Sequence, residues 1–311
     1  MKVINFMGQS KSNLAILFSG LLLLVSIGSL AIRQLNWGLD FTGGTLVEVH
    51  YSGSVDLTAI RHTLETKGFA GAIVAGYGSA QDVLIRLPKG YTDQQGTALL
   101  GVLQEAFTGE TDAGQVELRR TEFVGPQVGD ELREQGGLAI LLSFGLVMLY
   151  VAFRFQLKFA VGGILALVHD VIITLGFFSL TGMEFNLTVL AAIMAIIGYS
   201  INDTIVIFDR IRENFRLLRR ATPSEVMNIS ITETLDRTLV TSGVTLLSVV
   251  ALAIWGGEML FGFAVALIVG IVAGTYSSVY IASATALLLG ATKEDLMIPV
   301  KEGADQEKLT P

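Results

Sequence analysis

Two acidic side chains stand inside long apolar runs and are the chemically most informative residues of the sequence. Asp203 follows Asn202 in a run that begins at Leu187, and the pair His169-Asp170 lies near the centre of the preceding run. A charged side chain at the centre of a membrane helix costs roughly 2.5–3.5 kcal/mol on insertion scales. Such residues are therefore expected to face the interior of a helix bundle, and they are candidates for function.

Arg237 is the candidate partner of Asp203. It lies at the start of the next apolar run. There, residues at helical spacing predict a polar stripe that runs into the bundle: Arg237, Thr241, Thr245 and Ser248. Burial favours the protonated form of an aspartate, whereas a nearby arginine favours its charged form. This competition predicts a proton-binding switch at Asp203 and Arg237.

Three further polar residues are candidates for a proton relay. His169 and Asp170 are one candidate point, although a neutral packing role fits His169 equally well. Asn202 adjoins the switch, but hydrogen bonding between helices explains this residue as well. Together these residues predict a polar thread through the third, fourth and fifth apolar runs.

The apolar runs predict an α-helical polytopic membrane protein with six transmembrane helices. The chain of 311 residues is 51% hydrophobic and only 16% charged, against roughly 25% charged residues in soluble domains. About 20 apolar residues cross the hydrocarbon core of a bilayer. The predicted spans are 14–32, 138–155, 159–180, 187–208, 239–255 and 261–289. The first is interpreted as a signal anchor, because it is long and Arg33-Gln34 follows where small residues precede a cleavage site.

Small residues at helical spacing predict close helix packing in two spans. They are Ala191, Ala195, Gly198 and Asn202 in the fourth span and Ala266, Gly270, Gly274 and Ser278 in the sixth. Small residues let membrane helices approach each other closely.

Basic residues predict the orientation. Lys2 and Lys11 precede the first span, and five arginines between 210 and 220 follow the fourth, whereas the short loops on the other side contain glutamate and no base. Because lysine and arginine accumulate in cytoplasmic loops, both termini are predicted to be cytoplasmic. The predicted divisions are the cytoplasmic N-terminus with the first span at 1–32, an outside domain at 33–135, the five remaining helices of the bundle at 136–290 and a cytoplasmic tail at 291–311.

The outside domain is predicted to be α+β. It contains eight Lys/Arg against fourteen Asp/Glu. Alternating strand patterns and amphipathic helix patterns follow each other in the order βαββαβ, which is typical of ferredoxin-like domains. One sheet face would be covered by two helices and the other would be open to a partner.

Two glycine-containing motifs flank this domain. "GLDFTGG" contains Asp40, Gly43 and Gly44, and "FVGPQVGDEL" contains Gly125 and Pro126. Glycine and proline interrupt regular structure. We interpret these residues as hinge motifs; whether they only join domain and bundle or also set how the domain swings stays open.

Several functions are not supported by the sequence. The absence of cysteine excludes disulfides and iron–sulfur clusters. The net charge of −7 argues against nucleic acid as a partner. His50 and His62 lack the converging ligands of a metal site, and no nucleophile–base set or phosphate loop is present. We therefore expect neither an enzyme nor a cofactor.

The chain resembles the SecD/SecF family of bacterial protein-export subunits, in particular its SecF branch. The resemblance covers essentially the whole chain and rests on "GLDFTGG", "FVGPQVGDEL", "ALVHDVIITLG", "GYSINDTIVIFDRIRENFR" and "TSGVTLLS". It implies an RND-type, proton-driven subunit of the bacterial inner membrane with no cofactor. It also implies a heterodimer with SecD, association with the SecYEG channel and YajC, contact with periplasmic preprotein segments, and proton transport at Asp203 and Arg237. The alternatives are a proton-coupled small-molecule exporter and a structural scaffold of the channel.

Overall fold

The computed structural model describes residues 3–53, 55–77, 79–87, 93–107, 116–155, 157–218 and 220–291. In chain order, the helices of these residues are α1 (Gln9–Ile32), α2 (Leu39–Thr42), α3 (Leu57–Thr66), α4 (Asp93–Phe107), α5 (Pro126–Arg154), α6 (Leu157–Thr181), α7 (Leu187–Leu217), α8 (Pro223–Trp255), α9 (Glu258–Ser277) and α10 (Ser283–Leu288). A π-helical segment, Ser278–Ala282, joins α9 to α10. The strands are β1 (Asn36–Trp37), β2 (Gly44–Tyr51), β3 (Ile73–Tyr77), β4 (Ser79–Leu87), β5 (Val116–Val124) and β6 (Glu184–Phe185).

The prediction of six membrane-spanning helices is confirmed. Six helices of the described residues are long and apolar enough to cross a membrane: α1, α5, α6, α7, α8 and the continuous run of α9 and α10. The chain is therefore a multi-pass membrane protein. Nearly all of the predicted tail at 291–311 lies outside the described residues, as does Arg219 in the basic loop.

Two helices extend beyond the predicted spans. The fourth span was predicted to end at residue 208, whereas α7 continues to Leu217. The fifth was predicted to begin at residue 239, whereas α8 begins at Pro223. Thr222 caps α8, since its hydroxyl accepts from the backbone N–H of Glu225 while the Glu225 carboxylate accepts from the Thr222 N–H. Such a capping box begins a helix without any apolar residue, so hydropathy does not reveal it.

The inserted domain between α1 and α5 has the predicted βαββαβ order of elements, β2-α3-β3-β4-α4-β5. Its strands pair antiparallel in the order β3-β4-β2-β5. Residues of α3 and α4 share one core with the inward side chains of the sheet, so both helices lie on the same face. The sheet-containing domain is confirmed, while its assignment to the ferredoxin-like fold and its boundaries at 33 and 135 stay predictions.

A second, two-stranded sheet lies where this domain meets the bundle. β1 and β6 pair in parallel, with Trp37 opposite Phe185. The rings of Trp37, Phe41 and Phe185 pack against each other with centroid distances of 5.4–5.7 Å. From β4, Arg86 donates to the Trp37 carbonyl and to the Glu184 carboxylate, each at 3.2 Å.

Candidate functional site in the membrane bundle

Asp170 lies fully buried where α6, α7 and α9 meet. Its Oδ2 accepts hydrogen bonds from the hydroxyls of Ser200 on α7 (2.7 Å) and Ser277 on α9 (2.8 Å). Its Oδ1 lies 3.0 Å from Nδ1 of His169. Both carboxylate oxygens therefore have polar partners, as a buried acidic group requires.

His169 is buried beside this carboxylate. Its Nδ1 faces Asp170, while its Nε2 has no hydrogen-bond partner within the described part of the chain. The imidazole stacks on Tyr276 with ring centroids 6.3 Å apart, and the Tyr276 hydroxyl donates to the Ala15 carbonyl on α1. This arrangement is compatible with both roles of His169, relay and packing.

Small residues on α9 permit this cluster. A Cβ at Gly274 would lie 3.1 Å from Cβ of Ser200 and 3.5 Å from Oδ2 of Asp170. The predicted packing stripe on the sixth span is confirmed, since all of its members are buried: Ala266, Gly270, Gly274 and Ser278. Backbone proximity at Gly274 thus brings the serine of α7 within reach of Asp170.

Asp203 forms a second buried site between α7, α8 and α9. Its Oδ2 lies 3.4 Å from the hydroxyl of Ser242 on α8. That hydroxyl lies 2.9 Å from Oγ1 of Thr275 on α9. A short hydroxyl chain therefore connects Asp203 to both neighbouring helices.

The predicted ion pair between Asp203 and Arg237 is not formed. Within the described residues the Asp203 carboxylate accepts from Ser242 and no ion pair joins it to Arg237, which is exposed on α8. Asp203 contacts α8 at Ser242, five positions beyond Arg237. At about 100° per residue, the two positions lie roughly 140° apart around the helix, so the guanidinium points away from Asp203.

The polar stripe on α8 also faces outward rather than into the bundle. Thr241 and Ser248 are exposed, and the inward positions are Thr238, Ser242 and Val249. The hydroxyls of Thr241, Thr245 and Ser248 each donate to a carbonyl four residues earlier in the same helix. Because the backbone satisfies these hydroxyls, their polarity does not require an inward orientation.

The small-residue face of α7 is exposed as well, contrary to the predicted packing within the chain. Ala191, Ala195, Gly198 and Asn202 all lie on this exposed face. A Cβ at Gly198 would have nothing within 4 Å. Helical spacing correctly groups these residues, but the bundle packs on the adjoining face of α7, which contains Ser200 and Asp203.

Four hydroxyl residues of the site were not predicted: Ser200, Ser242, Thr275 and Ser277. The predicted polar thread is therefore incomplete, because the sixth span contributes to it through Thr275 and Ser277. The run "GTYSS", which interrupts an otherwise apolar segment, is the sequence signal that could have revealed Thr275 and Ser277.

The two predicted hinge motifs lie side by side and form one joint, which we call the domain junction (residues 38–44, 124–129 and 184–187). Gly44 pairs with Val124, one residue before Gly125, and Gly125 directly caps α5, with Pro126 in its first turn. A Cβ at Gly129 would lie 2.9 Å from the backbone nitrogen of Gly43. Asp40 accepts a hydrogen bond through Oδ2 from the backbone N–H of Leu187, at 2.8 Å.

The architecture of the described residues defines a class of protein: a six-span membrane protein with one inserted α+β domain and two carboxylates buried in its bundle. Comparison with known proteins identifies the family within this class. The family described as "Protein export membrane protein SecD/SecF, C-terminal" matches residues 104–292, and the "SecD/SecF GG Motif" matches residues 28–55. The chain belongs to the SecD/SecF family.

Similar proteins cover almost the whole chain. A protein of Vibrio alginolyticus named "Protein translocase subunit SecF" is 51% identical, with 99% of this chain and 97% of the relative covered. A protein of the same name from Pseudomonas aeruginosa is 51% identical over 95% of this chain and 94% of the relative. The crystal structure of SecDF, a translocon-associated membrane protein from Thermus thermophilus, superposes with a TM-score of 0.82 at 40% identity. It covers 93% of this chain, and this chain spans 39% of that longer chain.

Proposed function

We propose that this chain is a SecF-type auxiliary subunit of the Sec protein translocase that, together with SecD, uses the proton motive force to promote preprotein translocation. The observation that supports this most directly is the 51% identity to proteins named translocase subunit SecF across nearly the whole chain. The proposed location is the bacterial inner membrane, with both termini in the cytoplasm and the inserted domain in the periplasm. The proposed role is non-enzymatic and uses no cofactor.

Pairing with SecD is supported by two exposed surfaces on neighbouring helices. The small-residue face of α7 offers close packing that nothing in this chain uses among its described residues. The exposed stripe of α8 adds Arg237 beside threonine hydroxyls. A guanidinium on a membrane helix is costly against lipid and is stabilised by a carboxylate of an adjoining chain. SecYEG, YajC and periplasmic preprotein segments are the further proposed partners.

Asp203 is the proposed proton-binding residue. It is buried, its side chain accepts a hydrogen bond from the Ser242 hydroxyl, and it lies on the same helix as the exposed small-residue face. Arg237 then acts from the partner side of the bundle rather than as a direct ion pair. His169, Asp170 and Asn202 are proposed as relay residues. The available driving force is about 2.3 kcal/mol per charge per 100 mV, which can bias a two-state movement if protonation changes the contacts.

The test uses Asp203→Asn in the co-expressed complex. Asparagine has nearly the same size and keeps an acceptor for Ser242, so assembly should survive, but it cannot bind and release a proton. We expect export into inverted vesicles to lose its stimulation by a proton gradient. Asp209→Asn is the matched control, because Asp209 forms an exposed ion pair with Arg154 at the end of the bundle.

Two outcomes would contradict the proposal. If Asp203→Asn responds to the gradient as the parent does, Asp203 is a structural residue, and a scaffold role is favoured. If the chain purified in mild detergent lacks SecD-type and channel subunits and instead moves small molecules, the exporter alternative is favoured.

A further inference from the structure

Asp40 connects the stem of the inserted domain, which we define as residues 38–44, to α7, the helix that contains Asp203. The contact joins residues 147 positions apart in the sequence, from the carboxylate Oδ2 to the backbone N–H of Leu187. Leu187 is the first residue of α7, where backbone N–H groups lack partners within the helix. The side-chain Oδ1 of Asn186 accepts a hydrogen bond from the N–H of Val189 at 3.0 Å. The end of α7 is thus capped by one side chain of its own segment and one from the domain stem.

The stem that contains Asp40 has little freedom relative to the sheet. Asp40 lies in α2, four residues before Gly44, where β2 begins. Gly44 has φ +130°, and a Cβ there would lie 2.4 Å from the carbonyl oxygen of Leu87. The backbone N–H of Gly38 donates to the carbonyl of Phe185 at 2.8 Å. Sheet, stem and the start of α7 are therefore joined by directional contacts rather than by a loose linker.

α7 links this contact to the membrane site. Asp203 lies 16 residues beyond Leu187, which corresponds to roughly 24 Å along a continuous helix. The helix runs without interruption from Leu187 to Leu217. A shift or tilt of α7 when the contacts of Asp203 change would therefore move its capped end, and with it the residues bonded to that end.

We propose that Asp40 is a positioning residue that couples movement of α7 to the inserted domain through its bond to the start of that helix. This inference rests on the proposed proton-driven function. It assigns to the motif "GLDFTGG" the role of a clamp, which holds the inserted domain to α7, rather than that of a free hinge. The required chemistry is a hydrogen-bond acceptor at this position. Asp40→Asn can supply an amide oxygen and should preserve coupling, whereas Asp40→Ala cannot.

The first measurement tests the clamp without any proton gradient. In the full chain purified without its partner, spin labels are placed on Glu65→Cys in α3 and Ala191→Cys in α7, both exposed positions in a chain that has no native cysteine. We expect a narrow distance distribution in the parent and in Asp40→Asn, and a broad one in Asp40→Ala. Thr42→Ala is the matched control, because the Thr42 hydroxyl bonds only within the stem, to the Gly38 carbonyl. An unchanged width in Asp40→Ala would overturn the proposal.

The second measurement tests coupling in inverted vesicles that contain the full complex. We expect Asp40→Ala to keep the proton permeability of the parent, followed with a pH-sensitive dye, but to lose gradient-stimulated export. Asp40→Asn should restore that stimulation. Loss of both proton permeability and export would show that Asp40 acts on the proton site itself and would overturn the coupling role. If the parent shows no gradient-stimulated export, the proposed function fails, while the label distances still decide whether Asp40 is a clamp.

Discussion

Serine hydroxyls contact both buried carboxylates of the bundle. Asp170 accepts from Ser200 and Ser277, and Asp203 accepts from Ser242. A hydroxyl stabilises a carboxylate without introducing a second buried charge, and it can rotate to accept a hydrogen bond when the acid is protonated. Each acid therefore keeps a hydrogen-bond partner in both of its protonation states.

Removing one hydroxyl at Asp170 should therefore destabilise the bundle. For Ser277→Ala we expect the free energy of unfolding to fall by about 1 kcal/mol. This value lies between the average of about 0.6 kcal/mol for hydrogen bonds between membrane helices and the larger values for bonds to charged groups. The measurement is the midpoint of unfolding in mixed detergent. Ser248→Ala is the control, because that exposed hydroxyl bonds only its own helix. Equal shifts in the two variants would contradict a special role of the Asp170 cluster.

At the residue scale, the sequence predicts which polar residues lie in the membrane but not where they point. Helical spacing correctly groups Arg237 with Thr241 and Gly198 with Asn202. It gives only relative angles, however, and the absolute direction depends on which neighbour packs against the helix. Asp170 is buried because α9 approaches α6 and α7 closely at Gly274, and this is a contact between helices far apart in the sequence.

At the element scale, the close approach between α6 and the π-helical segment can be tested directly. A Cβ at Gly162 would lie 2.7 Å from the carbonyl oxygen of Ala282. Because that atom is backbone, the helix must shift to accept a side chain. π-helical turns are frequent at functional sites, and this segment directly follows Ser277, which donates to Asp170.

Gly162→Ala should destabilise the protein by about 1–3 kcal/mol, as overpacking typically does. Gly145→Ala on α5 is the matched control, because a Cβ there would have nothing within 4 Å. Replacing a helical glycine without a steric conflict should be neutral or stabilising by up to about 1 kcal/mol. Unfolding midpoints in mixed detergent measure both effects, and a neutral Gly162→Ala would indicate that α6 can retreat from the π-helical segment.

The stability of the β3–β4 hairpin in the inserted domain should depend on pH. The Ser79 hydroxyl, and then the ring of His50, bond the Asp82 carboxylate at 2.6 Å each and hold its pKa below the ordinary value. A lowered folded-state pKa adds stability above the unfolded-state value of about 4, and this stability is lost as the pH falls through the folded-state pKa. We expect hydrogen-exchange protection of β4, corrected for intrinsic rates, to fall over that range in the parent.

Asp82→Asn should remove most of this pH dependence, while Glu65→Gln, at an exposed position of α3, should keep it. An unchanged profile in Asp82→Asn would assign the acid sensitivity of the hairpin to another group.

At the scale of the whole molecule, the order of spans and domain elements was predictable, whereas the domain junction was not. Runs of apolar residues and alternating patterns are local signals, and they correctly give six spans and the βαββαβ order. The bond from Asp40 to Leu187 is a contact between distant segments that no local pattern encodes. The same holds for the exposed small-residue face of α7, since its exposure depends on how the other five spans assemble.

That surface leads to a prediction about assembly. Gly198 lies at the centre of the exposed small-residue face of α7, and a Cβ there meets nothing within this chain. Gly198→Leu should therefore leave the unfolding midpoint of the isolated chain nearly unchanged. If SecD packs on this face, the added side chain should cost about 1–3 kcal/mol of association. At about 2 kcal/mol, the middle of that range, the dissociation constant of the partner rises roughly thirtyfold, since about 1.4 kcal/mol is a factor of ten, and less partner co-purifies.

Gly145→Leu, on the exposed surface of α5, is the control of equal size and should retain the partner. Co-purification from mild detergent, with the partner quantified against this chain, measures the difference. Equal retention in both variants would place the SecD contact elsewhere on the bundle, and the exposed face of α7 would then face lipid. Loss of the partner in Gly198→Leu together with a lowered unfolding midpoint would instead show that the side chain disturbs this chain's own packing. Only loss of the partner at an unchanged midpoint assigns this face to the partner.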